Sequence, residues 1–157
     1  MQDVQLQQAA RDDWPCLENL MQFYLYELSR WLPIKFGAQG LYPLQALDDY
    51  WRDPATQPWL IRVAGELAGF AVVDRQGCDN PARCNLGYLF VGRRFRRQGL
   101  GRQVALQLFE RFKGPWQVQH FDANLPARDF WQAMLPTLSP TPSVAQGHPT
   151  RLYRWPG

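Results

Sequence analysis

The spacing of apolar residues changes character several times along this chain, and each change marks an element. Val4 to Gln8 alternates apolar and polar positions, the pattern of an edge strand. Asp12 or Asp13 then offers an N-cap, with Pro15 in the first turn, to a helix whose Trp14, Leu17, Leu20, Met21, Tyr24 and Leu28 keep helical spacing up to the break at Pro33. A turn region from Gly37 to Pro43 leads to a short helix with Leu44, Leu47 and Trp51 on one face, ended by Pro54. Trp59 to Val63 and Leu67 to Val73 are apolar, β-branched runs, and Ala64-Gly65-Glu66 between them reads as a tight hairpin. A polar loop, Gln76 to Arg83, precedes a third run, Leu86 to Val91. Beyond it Leu100, Val104, Leu108 and Phe112 recur every four residues, and the helix they define stops near Lys113 at Gly114-Pro115. Trp116 to Phe121 reads as a strand, Pro126 to Met134 as a short helix, and Ser143 to Trp155 as a terminal hairpin around Gly147-His148-Pro149.

Paired strands followed by strand, helix, strand, helix and hairpin predict an α/β fold, a mixed sheet with helices on both faces. At 157 residues the chain has the length of one domain, taken as 1–157, and can bury a core without staples. The formal charge of +3 is too small to imply nucleic acid by itself. The charge is instead local, since Arg93, Arg94, Arg96, Arg97 and Arg102 fall within ten positions. Met1-Gln-Asp-Val-Gln-Leu has no basic region followed by an apolar core, and no apolar run would span a bilayer, so a soluble, cytoplasmic protein without membrane contact is expected. Cys16, Cys78 and Cys84 cannot all pair with one another and are read as reduced thiols, no metal site being assigned. The alternatives are a Cys78–Cys84 bridge or a metal held there.

The arginine cluster belongs to Val91-Gly-Arg-Arg-Phe-Arg-Arg-Gln-Gly-Leu-Gly-Arg102, which joins a strand to an amphipathic helix. Backbone N–H groups and the positive dipole end favour a phosphate there, and Gly99 and Gly101 remove Cβ atoms that would hold it away. Arg96, Arg97 and Arg102 add charge-assisted donors. The loop is neither a Walker motif, which needs Gly-Lys-Ser/Thr, nor a dinucleotide fingerprint, which Gly99-Leu-Gly101 does not continue. The plainer alternative is a solvated basic loop that caps a helix.

Arg96-Arg97-Gln98-Gly99-Leu100-Gly101 resembles the Arg/Gln-x-x-Gly-x-Gly/Ala signature of the GNAT superfamily of N-acetyltransferases. Further on, Asn124-x-x-Ala127-x-x-Phe130-Trp131 is similar to the superfamily's second cofactor motif, Asn-x-x-Ala-x-x-Phe-Tyr. The resemblance covers most of the chain. It implies a mixed, mostly antiparallel sheet with splayed central strands. Acetyl-CoA is the implied co-substrate, with its pyrophosphate on Gln98 to Arg102 and on Arg96 and Arg97. Its pantetheine arm would lie on the backbone of Leu89, Phe90 and Val91, and Asn124, Ala127, Phe130 and Trp131 would contact its pantetheine or adenine end.

The activity implied is transfer of an acetyl group to a primary amine of a small molecule or protein, directly within a ternary complex, by a monomer or homodimer. The chain departs from the pattern at Trp131, where many members carry the tyrosine that protonates the departing thiolate, because an indole N–H is no acid at neutral pH. Tyr88 and His120 are the substitute candidates. By resemblance the acceptor lies against the first helix, the loop after it and the terminal hairpin. Tyr24, Glu27, Trp31 and Tyr42 are the candidate contacts, among Tyr26, Tyr50, Trp51, Asp48 and Asp49, since aromatic faces and carboxylates suit a cationic amine. An acetyl-cysteine intermediate is disfavoured, neither Cys16 nor Cys84 having a recognisable activating base. The competing readings are a non-catalytic CoA-binding or sensing module and a nucleic-acid-binding module using the arginine cluster.

Overall fold

The computed structural model describes residues 3–44 and 47–157. Seven strands, β1 (Val4–Gln8), β2 (Gln57–Val63), β3 (Glu66–Asp74), β4 (Cys84–Val91), β5 (Trp116–Phe121), β6 (Thr141–Ala145) and β7 (His148–Trp155), form one sheet in the order β1-β2-β3-β4-β5-β7-β6. Only β4 and β5 run parallel. The helices are α1 (Trp14–Leu28), α2 (Leu47–Arg52), α3 (Leu100–Arg111) and α4 (Leu125–Met134). The chain from Leu44 into α2, part of the short helix expected from sequence, passes through residues outside those described. Ala64 and Gly65 form the β2–β3 turn at φ 51° and 82°, the two left-handed residues that match strand twist. The last turn uses Gln146 and Gly147 at φ 52° and 76°, one step earlier than the sequence suggests. Proline is locked near −65° and cannot take a left-handed place, so Pro149 lies inside β7 opposite Val144.

Each face of the sheet has its own core. Leu17 and Met21 of α1 and Trp51 of α2 bury Leu60, Phe70 and Val72. On the other face Leu100, Val104, Ala105 and Leu108 of α3 and Trp131 of α4 cover Trp59, Ile61, Trp116, Val118 and Tyr153. Asp13 precedes α1 as expected but does not cap it with its side chain. Its Oδ2 instead turns back to accept the Ala10 N–H at 2.9 Å, closing the preceding turn.

Two irregularities of β4 shape the centre of the molecule. Val72 pairs with Tyr88 and Val73 with Leu86, so Gly87 is an unpaired bulge residue. The bulge reverses the side-chain alternation: Leu86 packs toward α3, and Tyr88 packs toward α1. Then β4 and β5 pair only through Cys84–Trp116 and Asn85–Gln117 before separating, as splayed central strands. From Leu86 onward the β5-facing edge of β4 has no strand partner among the described residues.

Candidate active site

Local sequence explains the loop between β4 and α3. A single 3-10 turn, Arg93–Phe95, sinks the Phe95 ring into the α3-side core and leaves the neighbouring arginines in solvent. Arg97 and Gly99 then take φ 61° and 72° and curl the chain into α3. The first bond of that helix joins the Gln103 N–H to the Gly99 carbonyl at 3.1 Å. The N–H groups of Leu100, Gly101 and Arg102 therefore precede the helical ladder, at the positive end of the dipole. At Gly101 a Cβ would sit 3.4 Å from Phe130 Cε1, so α4 closes over this first turn.

The five arginines of the loop divide by partner. Arg93 Nε pairs with Glu27 Oε1 at 2.8 Å, and Arg94 with Glu66 Oε1 at 2.9 Å. Arg96 lies 3.5 Å from Glu27 Oε1 and donates through Nε to the Val91 carbonyl at 3.0 Å. Arg102 touches the Met134 sulfur at 3.5 Å. Arg97 and Arg102 are exposed and form no ion pair among the described residues, which leaves them beside the unsatisfied N–H groups.

Where β4 and β5 part, a cavity of about 800 Å³ opens between them. Tyr24, Tyr50 and Tyr88 meet there edge to face, the Tyr88 ring 5.2 Å from Tyr24 and 6.0 Å from Tyr50. Tyr88 makes no hydrogen bond among the described residues, and burial, aided by nearby Asp74, pushes its hydroxyl above the usual range. Tyr50 donates to Asp74 Oδ2 at the end of β3. Asp74 Oδ1 accepts from Asn85 Nδ2 at 2.7 Å and from the Gln76 N–H at 3.0 Å. Burial pushes the Asp74 carboxyl up, although these three hydrogen bonds pull the other way. On the β5 wall His120 is 6% exposed. With its ring proton on Nδ1, facing the Phe121 carbonyl at 3.0 Å, Nε2 is a buried acceptor without a partner among the described residues.

Of the residues singled out from sequence, Tyr24, Tyr88 and His120 come together at this cavity. Leu89, Phe90 and Val91 lie on the open length of β4, the Val91 carbonyl being already engaged by Arg96. Asn124 caps α4, its Oδ1 accepting the Ala127 N–H at 3.1 Å, so the Asn-x-x-Ala spacing serves the helix itself. Trp131 is 7% exposed within the α3-side core, its ring 6.5 Å from that of Phe109. The acceptor candidates separate. Glu27 is held by loop arginines, Trp31 carries Arg30 at 5.7 Å, and Tyr42 is buried, stacked on Phe36 at 4.8 Å. None of those three lines the cavity. Asp74, Asn85 and Gly87 escape sequence reasoning; their only signals are an Asp closing an apolar strand and a Gly inside one.

The chain belongs to the acetyltransferase (GNAT) family, whose model matches residues 17–135. Solved structures share its fold. An acetyltransferase from Thermus thermophilus is 18% identical at a TM-score of 0.75, with 100% of both chains covered. A ribosomal-protein alanine N-acetyltransferase from Escherichia coli is 13% identical at 0.63, with 98% of this chain and 94% of that one covered. A variant spermidine N-acetyltransferase from Vibrio cholerae is 12% identical at 0.67, covering 98% and 93%. No curated protein sequence matches the chain significantly.

Family membership implies acetyl-CoA, and the residues present fit it. The start of α3 offers N–H donors and two unpaired arginines for phosphates, and the open edge of β4 offers backbone groups to an extended amide-bearing arm. The orphaned His120 Nε2 supplies an acceptor beside the gap.

Proposed function

We propose that this protein is an acetyl-CoA-dependent N-acetyltransferase that acetylates a primary amine by direct transfer, both reactants being held together across the β4–β5 gap. The observation that carries this reading is that the unpaired length of β4 runs from a cavity of three tyrosines and a buried carboxylate to the loop that opens the N-terminus of α3. When bound, acetyl-CoA supplies an activated acetyl thioester. Leu100, Gly101 and Arg102 N–H groups, with the Arg97 and Arg102 side chains, hold its phosphates; Leu89 and Phe90 backbone groups orient its arm. Holding two reactants in register contributes about 7–11 kcal/mol in favourable cases.

A lysine-like amine costs roughly 4–5 kcal/mol to deprotonate at pH 7, so the cavity must take a proton from it. Tyr88 stays protonated through burial and keeps its hydroxyl free, which suits it to return a proton to the departing sulfur. His120 Nε2 is an acceptor on the opposite wall. Burial pushes the Cys78 and Cys84 thiols up, which favours direct transfer over an acetyl-cysteine. Pairing of Arg93, Arg94 and Arg96 with Glu27 and Glu66 lessens the case for a nucleic-acid surface.

The packing of Trp131 in the core, where many family members place an acidic hydroxyl, favours one second reading: a CoA-binding module without turnover. Melting curves with acetyl-CoA, combined with thiol release across a panel of primary amines, separate the two. At one hundred times the dissociation constant, ligand adds about 2.7 kcal/mol to the native state. A melting shift with amine-dependent thiol release is expected. A shift without turnover selects the binding module, and no shift from a folded protein overturns both.

A further inference from the structure

Tyr50 and Asp74 carry no proton or ligand in the transfer proposed above, yet both line the cavity and bond to each other within it. Asp74 is 2% exposed. Tyr50 takes one acceptor site on its Oδ2, while Asn85 and the Gln76 N–H take both on its Oδ1, so three of the carboxylate's four acceptor sites are engaged by the protein. Gln117 Nε2 holds the Asn85 Oδ1 at 3.1 Å, and Arg154 holds Gln117 at 3.0 Å, which fixes the carboxylate from behind. The bulge residue Gly87 makes room in front: a Cβ there would overlap the Asp74 carboxylate and approach the Tyr50 hydroxyl to 3.0 Å. Because Tyr50 spends its proton on Asp74, its oxygen presents only lone pairs to the cavity it lines. An oxygen of that kind receives N–H donors. Among the described lining residues Asp74 is the sole carboxylate and Lys35 the sole lysine, while Met21, Leu25, Leu28 and Ile34 form an apolar wall.

We infer that Tyr50 contacts the acceptor substrate, its hydroxyl oxygen receiving the ammonium of a monoamine carried on an apolar body, with Asp74 as the positioning residue behind it. This rests on the acetyltransferase reading. The step balances as a proton relay. One N–H bond of the ammonium breaks and leaves its electron pair on nitrogen; an O–H bond forms at Tyr50 as the old one breaks; the displaced proton binds Asp74 Oδ2. The neutral amine is then nucleophilic, and Asp74 returns the proton to water. The upward displacement of the Asp74 carboxyl by burial brings it closer to neutrality as a proton acceptor. Asp53 beyond α2, Cys78 after β3 and Tyr88 from β4 are electrostatically coupled to Asp74, and Tyr24 from α1, Lys35 after α1, His120 across the cavity and Arg154 behind Gln117 are the other titratable or charged groups around it.

The test compares wild type with Tyr50→Phe and with the isosteric Asp74→Asn, using phenethylamine and spermidine as probes. Calorimetry without acetyl-CoA reads amine binding, melting curves read acetyl-CoA binding, and thiol release is followed from about pH 5.5 to about pH 9. In both variants kcat/KM for phenethylamine should fall about 100-fold or more while the acetyl-CoA shift persists. Asp74→Asn should also move the acidic limb of the profile toward the amine's own pKa, which a merely structural role would not do. Variants that bind acetyl-CoA and keep the wild-type rate and profile would overturn the assignment, as would a wild type that prefers spermidine. A wild type with neither melting shift nor turnover would instead remove the acetyltransferase reading. Phenethylamine binding lost in Tyr50→Phe would then still support the contact, and unchanged binding would refute it.

Discussion

At Gly87 the β4 backbone passes so close to Asp74 that no methyl group fits between them. Gly87→Ala must push β4 away from β3 or break the Tyr50–Asp74 contact. Such overpacking costs about 1–3 kcal/mol, readable as a lower urea midpoint, and an unchanged midpoint would contradict the close approach. The loop arginines allow a sharper contrast. Arg97 and Arg102 flank the unsatisfied N–H groups, so replacing either with Ala should weaken acetyl-CoA by about 1.5–3 kcal/mol, roughly ten- to a hundredfold in Kd. Arg94, hydrogen-bonded to Glu66 and holding that carboxyl below its usual range, should tolerate the same change with Kd unaltered. Equal losses at all three positions would mean a diffuse field rather than a defined cradle. The cradle was legible because its glycines and arginines are neighbours in sequence. The Tyr50–Asp74 pair was not, since its partners lie 24 positions apart and meet only through the sheet register and the Gly87 bulge.

Among the elements, α1 and the α3-entry loop are tied by one side chain. Glu27, whose side chain is 27% exposed, receives Arg93 and Arg96. If that tether is its whole role, Glu27→Gln leaves the KM for amines unchanged and releases Arg96 toward phosphates, so acetyl-CoA binds as tightly as before or more so. A raised amine KM with unaltered acetyl-CoA affinity would restore Glu27 to the acceptor site. Steady-state kinetics with each reactant varied in turn decides between these. The elements themselves were well specified by periodicity: α1, α3 and α4 bury the faces that their spacing predicts, and β2 to β5 follow the apolar runs. Periodicity fails where one residue breaks it. The extra residue at Gly87 reverses which face Tyr88 occupies, and no count of alternating positions reveals a bulge. The burial of Trp131 was not legible for a related reason. Its place in the motif is preserved, while the indole's size and apolar surface draw it into the core beside Phe109 and Phe130.

For the whole molecule, a buried carboxylate makes stability depend on pH in an unusual direction. An Asp in the unfolded chain ionises near the ordinary value of 3.8, whereas burial raises the Asp74 carboxyl in the native state. Between those two values the native state holds a proton that the unfolded chain has released, so stability falls as pH rises. The contribution is fully present below 3.8 and is lost as pH climbs through the raised native value. Glu66 and Asp79, held low by Arg94 and Arg83, act in the opposite sense, but they are common to wild type and variant and cancel in a difference. In Asp74→Asn the amide oxygen still accepts from Asn85 and Gln76, and the amide nitrogen donates to Tyr50, so the fold tolerates the exchange. The stability of wild type minus that of Asp74→Asn should therefore decline from about pH 4 upward, by about 1.4 kcal/mol for each pH unit by which the carboxyl is raised, and level off beyond it. Urea unfolding of both proteins from about pH 4 to about pH 8 measures it. Parallel curves would mean that the network around Asp74 compensates burial in full, and a difference that rises with pH would mean that its hydrogen bonds outweigh burial.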